Sequence, residues 1–364
     1  MKWCLKVFVK TKHNDKKLVF RSDGAMLPEI GTGHIVRDIA IADYFVSKKI
    51  CKKNEVSFVS RTGGPFRIGS DLVQESGYQL ETFDDDHLEW NSPEESKVLK
   101  SIDTNLLVID RLSTDLAWMT DLKSSLKRVV SMDDVGTGAM VADAVINAIL
   151  HDIPARESAY LGLDYLVLKG NSARLKPEVP RKVYRIVASF GGHDSRNLME
   201  FFLESCQRED MPLTKGTLIE LLIGDESKNL VECWTAQAGK IAIRYDVTVS
   251  ILIRPPDFLE RLAKADLAVL SGGLTIFDAV SFGVPCIGLP QYLHQLNTLK
   301  TLSAKMAVTL GSSEMRLDLI SFARLFDEMM HSQDKRQSLK RIGPSLIDRQ
   351  GIDRVAAILY SFVH

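Results

Sequence analysis

Leu18 to Lys49 reads LVFRSDGAMLPEIGTGHIVRDIAIADYFVSKK, and three parts of it bear on the fold. LVFRSD is a short apolar run with strand character, GAMLPEIGTG is a glycine-bearing loop, and from His34 the apolar residues recur at three and four, as on a helix. Gly31 and Gly33 permit positive φ and let a ligand approach the backbone. A helix starting at His34 offers free N–H groups and partial positive charge to an anion. Val36 stands where a dinucleotide fingerprint needs its third glycine, so a nicotinamide reading is weak. The plain alternative is a tight strand-to-helix turn carrying an exposed histidine.

The same rhythm continues along the chain. KLVF, EVSFVS, NLLVID and KRVVSM, then YRIVASF, GTLIELLIG, VTVSILI, LAVLS and PCIGLP, are nearly unbroken apolar runs, the pattern of strands buried on both faces. Between them lie helical patterns: TDLAWMTDLKSSL, SRNLMEFFLESC, PDFLERLAKA, LTIFDAVSFG and NTLKTLSAKM. This alternation predicts an α/β fold with parallel sheets covered by helices. LKGNSARLKPEVPRKVY is polar, basic and aperiodic. It divides the chain into a domain over 1–170, a linker over 171–182 and a domain over 183–364. A last helix, IDRVAAILYSFV, has apolar spacing that suggests it packs onto something. LKVFV and KLVF, around KTKHNDKK, suggest a hairpin at the start.

Composition excludes several classes. Forty-six Lys and Arg balance 47 Asp and Glu in 364 residues, so no global field favours nucleic acid or an anionic membrane, and a bound anion must be held locally. The five cysteines are scattered and never spaced CxxC, which points to reduced thiols in the cytoplasm and away from a zinc site or disulfide frame. No apolar stretch is long enough to span a membrane, and the charged first residues do not read as a signal peptide.

Three later stretches resemble the first. SFGGHDSRN places Gly191 and Gly192 at a strand end, with Asp194 or Ser195 capping the next helix. LSGGLTIFDAV places Ser271, Gly272 and Gly273 before a helix that begins with Leu274 and Thr275, where a diphosphate fits against backbone N–H groups. Asp278, one turn on, is suited to accept both hydroxyls of a ribose. HQLNT puts His294, Gln295 and Asn297 at another helix start, with groups suited to sugar hydroxyls or phosphate. Each also reads plainly as a turn, a surface acid or a cap. DDD at Asp84 to Asp86 reads as a solvated loop.

Together, RSD…IGTGHIVRDIAIA, VIDRLSTD, SMDDVG, LGLDYLVL, SFGGHDSRNL and SGGLTIFDAVSFGVPCIGL resemble the UDP-sugar hydrolases of pseudaminic acid biosynthesis and their spore-coat polysaccharide relatives. The resemblance covers most of the chain after Leu18. It implies a GT-B architecture, two Rossmann-like doubly wound domains facing a central cleft, and a metal-independent enzyme without cofactor that cleaves UDP from an anomeric carbon with water. It implies His34 as the catalytic residue, with Gly191, Gly192, Ser271, Gly272, Gly273, Leu274, Thr275 and Asp278 around the nucleotide and diphosphate. Gly31, Gly33, Arg37, Asp110, His294, Gln295 and Asn297 then lie on the sugar side. The implied partner is a UDP-sugar, N-acetylated, with a 2,4-diacetamido-trideoxy sugar as one candidate, bound by a monomer with no nucleic acid and no membrane contact unless the chain is a transferase. The family's DHY strand end is here Asp110-Arg111-Leu112, and its Asn-Gln pair is His294-Gln295. These departures keep two alternatives open: a GT-B glycosyltransferase with a UDP-sugar donor, and an inactive nucleotide-sugar-binding protein.

Overall fold

A computed structural model describes residues 16–363 except residues 26, 28–29, 84–88, 127, 150–155, 169–179, 193, 210 and 225–227. The first run of the expected hairpin, the DDD tract, His193 and most of the expected linker therefore lie outside the described residues. The first half runs β1 (Lys16–Ser22), α1 (Gly33–Ser47), β2 (Val56–Arg61), α2 (Arg67–Glu75), β3 (Gln79–Phe83), α3 (Pro93–Lys100), β4 (Thr104–Asp110), α4 (Leu116–Lys123), β5 (Val129–Met132), β6 (Ala144–Asn147) and β7 (Ala159–Leu161). The second runs β8 (Arg185–Ser189), α5 (Leu198–Cys206), β9 (Leu218–Ile223), α6 (Lys228–Tyr245), β10 (Thr248–Ile253), α7 (Phe258–Ala263), β11 (Leu267–Ser271), α8 (Leu274–Ser281), β12 (Cys286–Leu289), α9 (Leu293–Ala304) and β13 (Thr309–Leu310). Three helices close the chain: α10 (Leu319–His331), α11 (Gln333–Leu346) and α12 (Gly351–Val363).

The strands form two sheets, ordered β3-β2-β1-β4-β5-β6-β7 and β10-β9-β8-β11-β12-β13. Every described pairing is parallel. The unbroken apolar runs follow from burial on both faces. Leu18, Phe20, Leu106 and Val108 enter one core layer, while Val19, Leu107 and Ile109 enter another on the opposite face. The second sheet divides its residues likewise, with Ile186, Ala188, Leu267 and Val269 on one side and Val187, Ala268 and Leu270 on the other. The sequence reading missed β3, β6, β7 and β13. Three of these are sheet edges, and β3 is largely exposed, so its sequence QLETF carries no apolar run. No described helix is long and apolar enough to cross a membrane.

The expectation for the last helix needs revising. Expected with residues 183–364, α12 instead covers the first sheet: Val355, Ala356, Leu359 and Val363 join the layer of Leu18, Phe20 and Phe45. Asn105 Nδ2 donates to the Val363 carbonyl at 3.0 Å, and Tyr44 Oη donates to Asp353 Oδ1 at 2.5 Å. At the crossing, a Cβ on Gly351 would stand 2.1 Å from the Leu166 carbonyl oxygen, so only glycine fits there. The halves are thereby tied by packed hydrocarbon. Leu359→Ala should destabilise the protein by about 2–5 kcal/mol, the cost of a buried leucine cavity. Urea unfolding reads this directly, and a loss below about 0.5 kcal/mol would mean α12 does not carry the first core.

Candidate active site

In the first sheet the strand order reverses between β1 and β4, the place where open α/β folds hold ligands beyond the carboxyl strand ends. β1 leads through the Gly31 loop into α1, and β4 ends on Asp110. Gly31 has φ +58° and open space around it, and His34 is the second residue of α1. Its Nδ1 lies 2.5 Å from Asp110 Oδ1. A carboxylate at that distance takes the Nδ1 hydrogen and leaves Nε2 as the basic nitrogen. Arg37, one turn along α1, donates from Nε to Asp110 Oδ2 at 2.8 Å, from Nη1 to Asp133 Oδ2 at 2.6 Å, and from Nη2 to Asp110 Oδ1. Asp133 takes the left-handed conformation, φ +52°, as it presents this carboxylate.

Burial opposes the charge on Asp110, but Arg37 and His34 outweigh it and hold the carboxyl well below the usual range. His34, Asp110 and Asp133 also bring ligand-type atoms within 4.8 Å of one another. Arg37 bonds both carboxylates, so the positive charge that a metal ion would bring is already supplied by a side chain.

A pocket opens beside this group, lined by Asp23, Ile30, His34, Trp90, Asp110, Arg111 and Leu112. Asp23 and Arg111 of this lining belong to a buried charge network. Arg21 donates to Asp23 at 2.8 and 3.0 Å and to Glu95 at 2.6 Å, while Arg111 donates to Glu95 at 2.5 and 3.1 Å. The Arg61 backbone N–H reaches Asp23 at 2.9 Å, and Trp90 Nε1 donates to it at 3.2 Å. Trp90 lies under the Arg61 guanidinium at 4.9 Å, and Trp118 lies under that of Arg111 at 5.1 Å. Burial would push the Glu95 carboxyl up, yet Arg111 and Arg21 hold it at about 2. Asp23, Arg61, Trp90, Glu95 and Asp133 were not singled out as site residues in the sequence reading. Asp23 and Asp133 fall in the quoted stretches RSD and SMDDVG without a role of their own, and Arg61, Trp90 and Glu95 fall in none.

In the second half, β8, β11 and β12 are neighbours and deliver the remaining loops to one sheet edge. Gly191, φ +91°, and Gly192 have open space where a Cβ would stand, whereas Gly272 is pressed against Gln295. Asp194 caps α5 as expected, accepting from the N–H groups of Leu198 and Met199 at 2.9 and 2.7 Å. Gln291 joins two loops: its Oε1 accepts from the Ser195 N–H and its own N–H donates to Gln295 Oε1, both at 3.0 Å. Ser271, Gly273, Leu274 and Thr275 stand at the start of α8. His294 and Asn297 are exposed on α9, where His294 stacks on Tyr292 with centroids 5.5 Å apart. A Cβ on Gly33 would touch Leu274 at 3.4 Å, so the first residues of α1 and α8 lie close together.

No protein-family model matches the chain. Over 272 residues it is 28% identical to the spore coat polysaccharide biosynthesis protein SpsG of Bacillus subtilis, covering 72% of this chain and 78% of that protein. The crystal structure of MurG from Acinetobacter baumannii superposes with a TM-score of 0.69 at 14% identity, over 94% of this chain and 99% of that one. HepE of Anabaena, solved in complex with UDP and glucose, superposes at 0.58 with 12% identity, over 94% and 99%. The chain resembles SpsG in sequence and has the GT-B fold.

Within this fold the departing Arg111 has a structural role, since its guanidinium is the Glu95 partner that closes the pocket wall. Asp278 differs from its sequence reading as a carboxylate open to two ribose hydroxyls. It is 8% exposed, and its Oδ1 accepts from Arg349 Nη1 at 2.9 Å. Arg349 lies just before α12 and also donates to Ser281 Oγ at 2.7 Å. Burial raises the Asp278 carboxyl to about 6 from an ordinary 3.8, against the opposite pull of Arg349. The folded chain therefore binds this proton more tightly than the unfolded chain. The stability from this group is complete below about pH 4 and is lost as pH rises through about 6. Relative to Asp278→Asn, the wild type should lose on the order of 3 kcal/mol across that window. Parallel slopes of urea stability against pH for the two proteins would contradict this.

Proposed function

We propose that this chain breaks a UDP-sugar at the anomeric carbon with water, in surface polysaccharide or nonulosonic acid biosynthesis, and that His34 is the general base. The observation that carries the reading is the 2.5 Å contact of His34 Nδ1 with Asp110, which leaves Nε2 as the proton acceptor beside the pocket. The SpsG likeness and the UDP and glucose bound by HepE support the substrate class.

In this mechanism a water molecule in the pocket gives its proton to His34 Nε2 as its oxygen bonds to the anomeric carbon. The carbon–oxygen bond to UDP breaks on the opposite face, UDP departs with the electron pair, and the configuration inverts. Asp110 steadies the imidazolium that forms, and Arg37 keeps Asp110 in place. Charge growing on the diphosphate is met by backbone N–H groups at the start of α8 and by the open backbone at Gly191 and Gly192. Donors fixed before the reaction cost no reorganisation during it. The sugar is an N-acetylated one in this reading, lying between His34 and Trp90.

His34→Gln should lower turnover by about 10²–10⁴-fold, the contribution of a positioned base, while UDP affinity changes little because the nucleotide lies on the second half. Release of UDP from a panel of UDP-N-acetylated sugars, followed with and without hydroxyl acceptors and in EDTA, tests the reaction. Release from water alone, persisting in EDTA, is expected. Release only with an acceptor would assign a transferase, and a requirement for added metal would overturn the metal-free mechanism. Near-normal turnover in a folded His34→Gln protein would remove His34 from the chemistry.

A further inference from the structure

The proposed reaction leaves the buried acid of α1 unused. Asp38 lies four residues after His34, on the buried stripe of Ile35, Ile39, Ala42 and Phe45, where the helical period calls for hydrocarbon. Ser22 and Asp110 are register partners across β1 and β4, so both side chains leave the sheet on the face that α1 covers. Asp38 packs down on that pair. It is 0% exposed, and among the described residues neither of its oxygens has a partner of normal hydrogen-bond geometry, nor has Ser22 Oγ beside it.

We propose that Asp38 is a positioning residue whose carboxyl stays protonated and donates to Asp110, so that His34 rests on two acids sharing one charge. This inference rests on the reading of His34 as base. Charge counting favours it. The charged groups facing Asp38 are Arg37 and His34 from α1, Asp110 from β4 and, through Arg37, Asp133 after β5. With Asp38 neutral, Arg37 against Asp110 and Asp133 leaves one negative charge, which an imidazolium at His34 balances. An ionised Asp38 would leave two and would hold the proton on His34 after it was taken. An unpartnered buried carboxylate beside a second carboxylate is also the costlier state. Burial, then Asp110, raise the Asp38 carboxyl well above the ordinary range, against the weaker pull of Ser22 and Arg37. As a donor to Asp110, Asp38 tempers the grip of Asp110 on the His34 Nδ1 hydrogen. Its own proton does not move in the reaction.

The test uses Asp38→Asn, which keeps shape and a donor, and Asp38→Leu, which keeps size alone. Infrared spectra at neutral pH should show a protonated carboxyl band that Asp38→Asn lacks. The downfield His34 Nδ1–H proton resonance should stay in place in Asp38→Asn and move further downfield in Asp38→Leu, where Asp110 has lost a donor. Turnover should stay within about threefold in the Asn protein and fall about tenfold in the Leu protein at unchanged KM, the scale of one hydrogen bond. If the Asn protein keeps the same infrared band, Asp38 is ionised in the wild type and the proposal is wrong. A folded Leu protein with an unmoved Nδ1–H resonance overturns it too, whatever its turnover. If the Leu protein does not fold, the infrared comparison with Asn still decides. The infrared and proton-resonance readouts need no substrate, so wild type that cleaves no UDP-sugar would fail the functional reading separately from this one.

Discussion

The guanidinium of Arg37, buried between Asp110 and Asp133, is the constraint on which the site depends. It joins α1 to the ends of two strands, β4 and β5, through charge-assisted bonds of 2.6 to 2.8 Å. A buried ion pair of this kind is poor evidence of net stability, because desolvation offsets much of its Coulomb energy. What it fixes is geometry. With Asp110 held from one side by Arg37, His34 has one place to put Nδ1, and its other nitrogen is directed by default. Removing any one partner would leave a buried charge uncompensated, which costs far more than the pair contributes.

The neighbouring wall of Arg21, Asp23, Arg61, Glu95 and Arg111 follows the same logic at larger scale. Each carboxylate is shared by more than one arginine, and the tryptophans cover guanidinium faces that would otherwise meet hydrocarbon or water. The pocket thus has charged groups, Asp23, Asp110 and Arg111, beside one aromatic residue, Trp90. A substitution that looks like a loss against a family motif, Arg111, is here part of that frame.

The second half meets this site through helix starts. Gly33 and Leu274 bring the first residues of α1 and α8 together. The return of the chain on α12, with Arg349 tied to Asp278 and Ser281 just before it, fastens that arrangement from behind. The halves are therefore linked by packed leucine and valine at one end and by buried polar bonds at the other.

The sequence by itself determined the two-sheet α/β architecture, because strands buried on both faces must be apolar at every position and leave unbroken runs such as NLLVID and LAVLS. It also located the glycine turns and His34, since a strand, a glycine loop and a helix start are local features. It could not show β3, whose exposed edge sequence QLETF carries no apolar run, or β7 and β13, which at three and two residues are too short to make one. The destination of α12 was equally hidden: an apolar stripe states that a helix packs, not against what. Tertiary structure alone decided which charges meet. Arg21 and Glu95 are 74 residues apart, Arg37 and Asp133 are 96 apart, and Asp278 and Arg349 are 71 apart. A carboxylate and a guanidinium read alike whether solvated or buried, and only the packing of helices and loops on the two sheets removes the water that made them interchangeable.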